Sequence, residues 1–281
     1  MKRFLSFLMV IALLAASTAL ADGLWNCPSC GRTGNDDNYC PHCGTRRPSQ
    51  ASRTDLGSVP TPMPTEAVPV QPGDVQIGDI VHFGSYEQDG DTRNGAEPIS
   101  WIVLDIRDSG LFLLSEKGLE KSQFHSHNDK TSWAGSDARR WLNNTFLTMA
   151  FSASQQAAIQ DTQVDNSAAQ HNADVNKAGR EGETTTDKVF LLSYQEFMEY
   201  LSGQDMAYCV PTQSAQTHGA NKSDKAYYDG KKTCWYWLRS PAFTSNANVV
   251  DWSGKPETSI MSHNRGVLRP ALWVNISAVS R

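Results

Sequence analysis

The stretch Cys234-Trp235-Tyr236-Trp237-Leu238-Arg239-Ser240-Pro241 and the closing run Gly266-Val267-Leu268-Arg269-Pro270-Ala271-Leu272-Trp273 constrain this chain most. Aromatic residues at this density favour a strand, with Trp235, Trp237 and Arg239 alternating against Tyr236, Leu238 and Ser240. The closing run reads as a final core strand, broken by Pro270 at an edge or bulge. Between them lies polar chain with one short apolar run, Asn248-Val249-Val250-Asp251-Trp252, and a turn at Ser253-Gly254. The pattern is the centre of an antiparallel sheet with polar loops on one side.

The 281 residues suffice for one sizeable domain and an accessory piece. A net charge of −5 supplies no basic field, so nucleic acid is not expected as a partner. The six cysteines divide into four near the N-terminus and two far downstream, which points to two separate roles.

Residues 1–21 have the form of a cleaved export signal: a basic start, an apolar run from Phe4 to Leu14, and the small-x-small step Ala19-Leu20-Ala21. The apolar run is too short for a spanning helix, and no later transmembrane segment is expected. The mature protein is therefore expected outside the cytoplasm, extracellular or in the cell envelope.

Two Cys-x-x-Cys knuckles follow, Cys27 with Cys30 and Cys40 with Cys43. Four thiolates on two facing turns close a tetrahedral site, so residues 22–47 read as a structural zinc ribbon. With almost no core, such a segment draws its folding energy from the Zn2+. Export leaves a second reading open, in which these thiols form two disulfides. His42 is expected to be a turn residue. Residues 48–73 are rich in Pro, Ser and Thr and read as a disordered linker.

The main domain is expected over 74–281. Three apolar runs, Ile77–Tyr86, Pro98–Ile106 and Ser109–Ser115, predict a meander. The tip Asp89–Gly95 resembles a calcium loop only superficially: Arg93 stands where an acid is needed, and no Glu occupies the twelfth position. Helices are expected after Ser136, after Ser152 with Gln155 completing a capping box, and after Ser193 with Glu196. Asn166–Thr186 reads as a long surface loop with a solvated His171, and Asp187–Ser193 as a buried strand. Cys209 and Cys234 read first as a disulfide, with free buried thiols or a redox pair as alternatives.

Gly78-Asp79-Ile80-Val81-His82-Phe83-Gly84-Ser85-Tyr86-Glu87-Gln88-Asp89, Arg140-Trp141-Leu142-Asn143, Val189-Phe190-Leu191-Leu192-Ser193, Trp237-Leu238-Arg239-Ser240-Pro241 and Val267–Trp273 together resemble a family of bacterial domains of unknown function, from residue 75 to about 276. The last third is also similar in layout to C-type-lectin-like and formylglycine-generating-enzyme-like folds. The expected class is α+β: a mainly antiparallel sheet with short helices and long polar loops, C-type-lectin-like, plus the ribbon.

The leading expectation is an exported, non-catalytic binding module for a polar ligand, a glycan or a peptide. Its long loops (His218–Lys232, Ala242–Asn248, Lys255–Arg265) suit polar recognition. Trp252, Tyr227, Tyr228, Arg239 and Arg269 are the candidate ligand residues. For the two arginines the plainer reading is favoured, in which carboxylates or carbonyls pin them to the last strands. The resemblance to formylglycine-generating enzymes implies an alternative, an oxidoreductase using Cys209 and Cys234. A third possibility is an assembly protein docking through the ribbon. No catalytic triad, zinc-protease motif or paired-carboxylate signature stands out.

Overall fold

A computed structural model describes residues 73–174, 182–243 and 245–281, together with Asn26 and Thr33. The export signal, the four ribbon cysteines and nearly all of the linker lie outside the described residues. The chain divides into two units, Met1–Ala51 and Ser52–Arg281, and the second is described here.

The unit opens with β1 (Ile80–Tyr86), β2 (Glu97–Arg107) and β3 (Gly110–Ser115), followed by the short β4 (Glu120–Ser122). The meander is present, and its strands are apolar enough to be covered on both sides: all six residues of β3 are buried. The β2–β3 turn places Asp108 at φ 52°, a conformation Asp tolerates better than most side chains.

Helical chain comes next. Ser136 caps α1 (Asp137–Trp141) by accepting from the Arg139 amide. A π-helical segment, Leu142–Phe146, then leads into α2 (Leu147–Ala150). Ser152 and Gln155 close a reciprocal capping box on α3 (Ala153–Ala158). After β5 (Thr162–Val164) and β6 (Thr185–Asp187), Ser193 and Glu196 close a second box on α4 (Tyr194–Tyr200). Thr212 caps α5 (Gln213–Thr217).

The last third is β: β7 (Lys222–Tyr228), β8 (Lys231–Cys234), β9 (Tyr236–Pro241), β10 (Asn246–Val250), β11 (Pro256–Ile260), β12 (Gly266–Leu268) and β13 (Ala271–Asn275). One sheet has the order β1-β2-β3-β13, and a second has β11-β10-β9-β12-β4. Pairs β5-β6 and β7-β8 stand apart. The class is α+β, mostly sheet with a few short helices. No helix among the described residues is long and apolar enough to cross a membrane.

Several sequence expectations need correction. The aromatic strand starts at Tyr236, and all six of its residues are buried, so its alternation does not separate an inner from an outer face. It lies in the middle of its sheet, antiparallel to β10 and bridged in parallel to β12 at Val267. The closing run is two strands in two sheets: β12 pairs with β4 and β9, whereas β13 pairs with β3. Arg269-Pro270 is where the chain passes from one sheet to the other. Proline has no N–H to give a ladder, which suits it to that crossing.

The 187–193 segment is buried but extends the β6 strand only to Asp187, beyond which Phe190 makes a single bridge to Ala271. Part of the 166–186 loop is also not a solvated loop. Asn166 and His171 are each 3 % exposed. The cause is side-chain capture: the Ser240 hydroxyl donates to the Gln170 carbonyl, Ser193 to the Gln170 side chain, and Gln195 to the His171 carbonyl. The three polar loops contain strand as well: β7 and β8 in the first, the start of β10 in the second and β11 in the third.

Candidate functional site

The site forms where the chain changes sheets. Arg269, 2 % exposed, donates Nε to the Ser115 carbonyl (2.9 Å), one terminal nitrogen to Met206 (2.8 Å) and the other to Glu116 (3.3 Å). Its guanidinium lies 5.1 Å from the centroid of the Tyr236 ring. Among the described residues it forms no ion pair with a carboxylate. It therefore joins the end of β3, the 205–207 turn and the sheet crossing through carbonyl dipoles and the Tyr236 ring.

The chain after β3 runs beside the 210–212 segment. The Gly118 amide donates to the Val210 carbonyl (3.0 Å), and the Thr212 amide donates to the Gly118 carbonyl (3.0 Å). A Cβ at Gly118 would stand 2.3 Å from Val267 Cγ2 and 3.2 Å from Cys209 Sγ, so this approach requires glycine. Gly266 is as constrained, since a Cβ there would stand 2.3 Å from the Trp235 ring.

A hairpin forms the facing wall. Asp229 (φ 48°) and Gly230 (φ 69°) join β7 to β8 with both turn residues in the left-handed region. This is the two-residue turn whose twist matches antiparallel strands. The Thr233 hydroxyl fixes the hairpin base by donating to the Trp252 carbonyl (2.7 Å).

Between these walls lie two adjoining cavities. The larger, about 500 Å³, includes Lys117, Pro211, Lys222, Lys231, Lys232 and Glu97 in its lining. The smaller, about 280 Å³, includes Met206, Tyr208, Tyr228 and Arg269. Lys117, Val210 and Lys231 line both. Tyr208 and Tyr228 stack across the smaller cavity, with centroids 5.6 Å apart and planes 10° apart. Lys232 pairs with Asp224 at 3.2 Å, and Lys222 donates to Gln216 at 2.7 Å. Among the described residues Lys117 and Lys231 form no ion pair. The shared part of the cleft thus carries two ammonium groups without ion pairs, and the smaller cavity sets these and Arg269 among the acids Glu116, Asp205 and Asp229.

An acidic corner flanks the larger cavity. Glu87, Asp89 and Glu97 bring carboxylate oxygens within 4.8 Å of one another. Backbone amides already occupy them, from Gln88 to Glu97 (2.6 Å) and from Gly90 to Glu87 (2.8 Å). Burial pushes the Glu87 carboxyl up, partly offset by the Gly90 amide, and the Glu97 and Asp89 charges push it further. Arg93 pairs with Asp91 at 2.7 Å and so points into the turn rather than at an ion.

Cys209 and Cys234 lie beneath the cleft. The Cys234 amide donates to the Cys209 carbonyl (2.8 Å), and both thiols are free and buried. The Cys209 thiol donates to the Val210 carbonyl (4.0 Å) and feels the Cys234 thiol, the charge of Arg269 and the Gly118 amide. Burial alone would raise the Cys209 thiol, but Cys234, Arg269 and the Gly118 amide together outweigh it and hold it below the ordinary thiol value. Burial pushes Cys234 well up, reinforced by its contact with Cys209.

Of the five candidate ligand residues, the cleft brings together Tyr228 and Arg269. Tyr227 and Trp252 are 54 % and 42 % exposed but line neither cavity. Arg239 lies elsewhere, 2 % exposed, in a two-pronged ion pair with Glu196 and donating to the Leu191 (2.9 Å) and Asp165 (3.1 Å) carbonyls. Sequence reasoning missed Lys117, Lys231 and Tyr208. The Asp229-Gly230 dipeptide, between Tyr227-Tyr228 and Lys231-Lys232, is the hairpin signature that could have located Lys231, one of these three.

No curated protein and no solved structure matches the chain. One family does match, over residues 108–276, described as a domain of unknown function, DUF6273. The matched range starts inside the β2–β3 turn and takes in β3 to β13, including Lys117, Lys231, Arg269 and both thiols, while β1, β2 and the Glu97 side of the larger cavity precede it. It spans more than half of the sequence, and the chain is a member of the DUF6273 family.

Proposed function

We propose that this protein is a non-catalytic binding module whose cleft takes an anionic polar ligand, an acidic glycan or an acidic peptide. The observation that carries this reading is the pair Lys117 and Lys231. Both lack an ion-pair partner among the described residues, and both line the two cavities above Arg269. The larger cavity has a volume ordinary for a ligand site. The stacked Tyr208 and Tyr228 supply an apolar face with hydroxyl edges, which suits a sugar ring or a peptide backbone. In the larger cavity Lys117, Lys222, Lys231 and Lys232 outnumber the acids Asp89 and Glu97, a local excess of positive charge in a chain whose net charge is −5.

Around this module we place the remaining expectations. Residues 1–21 direct export. Cys27, Cys30, Cys40 and Cys43 hold a structural Zn2+, a donor set of four thiolates that fits that ion. The 48–73 linker tethers the ribbon to the domain, and the last third follows a C-type-lectin-like layout. The two adjacent buried thiols favour redox chemistry as a second reading.

Isothermal calorimetry tests the main reading. A uronic-acid oligosaccharide and a poly-glutamate peptide are titrated against a neutral oligosaccharide of the same length. Binding of either acidic probe, lost in Lys117→Ala/Lys231→Ala at unchanged melting temperature, is the expected result. Equal binding of the neutral probe, or full binding by the double variant, would overturn it.

A further inference from the structure

We propose that Cys209 and Cys234 are a thiol–disulfide exchange pair, with Cys209 the attacking thiolate and Cys234 the resolving thiol, and that their oxidation ties the two walls of the cleft together. Four observations carry this. The Cys234 amide donates to the Cys209 carbonyl at 2.8 Å, and the two thiols influence each other electrostatically. Gly118 leaves the space that Cys209 Sγ occupies. Arg269 is a buried cation with no carboxylate ion pair among the described residues, and an anionic sulfur beside it would neutralise a charge that is otherwise costly to bury. Finally, Cys209, itself buried at 1 % exposure, lies between Tyr208 and Val210, which both line the smaller cavity, so a small disulfide reaches it by displacing that stretch of the cavity wall.

The chemistry balances with a low-molecular-weight disulfide as oxidant. The Cys209 thiolate attacks one sulfur of the oxidant; a Cys209–oxidant bond forms as the oxidant's own S–S bond breaks and one thiolate leaves. Cys234 then gives up its proton, attacks the Cys209 sulfur and releases the second thiolate. The pair loses two electrons and the oxidant gains them. A cation beside a thiol favours the thiolate, which is the nucleophile, and Arg269 acts on both sulfurs; the first attack is assigned to Cys209 because it is Cys209 that the cavity-lining Tyr208 and Val210 flank.

The bond would join the segment between the 205–207 turn and α5 to the end of β8. These are the chain segments that carry Tyr208 and Val210 on one wall and Lys231 and Lys232 on the other. The exchange chemistry does not depend on the anionic-ligand reading; only an effect of oxidation on ligand affinity would.

The test incubates the full chain under native conditions with oxidised glutathione, then unfolds, alkylates and maps peptides by mass. The expected product is a Cys209–Cys234 cross-linked peptide, reversed by dithiol reductant and resolved from the Cys27, Cys30, Cys40 and Cys43 peptides. Recovery of both residues alkylated, with the chain still native by circular dichroism, would overturn the pair. Two serine variants separate the roles. Cys234→Ser should accumulate glutathione on Cys209, about tenfold or more faster than Cys209→Ser accumulates it on Cys234. Equal or reversed rates would overturn the assignment of the attacking thiol. If either variant fails to fold, the wild-type map alone still decides whether the pair exists.

Discussion

Two buried arginines, Arg239 and Arg269, end up in opposite electrostatic circumstances. Both are 2 % exposed, and each faces an aromatic ring, Phe190 for one and Tyr236 for the other. Arg239 meets both oxygens of Glu196 and adds two carbonyls. Arg269 meets three carbonyls and no carboxylate ion-pair partner among the described residues. A paired buried charge holds a fold in place; one matched only by dipoles leaves a net positive field. Only the second lies beside a cleft with further cations. The comparison separates a structural arginine from a functional one by partner rather than by burial.

The sharpest break of this comparison is at Glu196. Glu196→Gln keeps an oxygen for the Ser193 amide in the capping box but removes the charge facing Arg239. Leaving a buried cation unpaired costs about 3 kcal/mol. Thermal or urea unfolding should show that loss, and a change below that for Arg269→Met would support the contrast.

Arg269→Met should cost less, about 2 kcal/mol, because it strands carbonyl acceptors rather than a charge. Arg269→Lys should recover part of that loss while placing its charge less well. If Arg269→Met proves more damaging than Glu196→Gln, the division between the two arginines fails.

A smaller effect concerns pH. The Ser167 amide and hydroxyl, outweighing some burial, hold the Asp165 carboxyl below its ordinary value, and Arg239 adds to this. A carboxyl lowered in the folded state contributes stability that is present above its unfolded value and is lost as pH falls through its folded one. Asp165→Asn should therefore flatten the acid limb of an unfolding curve slightly. An unchanged acid limb would remove the Asp165 carboxylate from the Arg239 network and leave only its carbonyl there.

The least effect on stability belongs to the cleft. Lys117→Ala/Lys231→Ala should unfold within about 0.5 kcal/mol of wild type, since neither ammonium is held by an ion pair. A larger loss would mean that these lysines support the fold.

Local structure was legible where local chemistry decides it. Ser136, Ser152 with Gln155, and Ser193 with Glu196 announce their helices because a cap is a contact within one turn. The meander was legible from apolar runs and polar turns. The division of Val267–Trp273 between two sheets was not, because β12 and β13 choose partners that lie far off in sequence, β4 and β3. The burial of His171 was also hidden: it depends on Ser240 and Gln195 reaching a loop that reads as polar.

The candidate site was half legible. The closing Arg269 and Tyr228 stood out by type, and the plain reading of both arginines as pinned residues agrees with their hydrogen bonds. Lys117 and Lys231 are ordinary surface lysines in sequence. They acquire meaning only when Gly118 pairs with Val210 and the Asp229-Gly230 turn brings Lys231, on β8, to the cavities that Lys117 lines.

Amide hydrogen exchange of the full chain, with and without a uronic-acid oligosaccharide, tests the central claim most directly. The account predicts added protection in residues 115–118, 206–212 and 222–234, with none around Glu196 and Arg239. Protection centred on Arg239, or on the exposed Trp252 turn with the cleft unchanged, would contradict it.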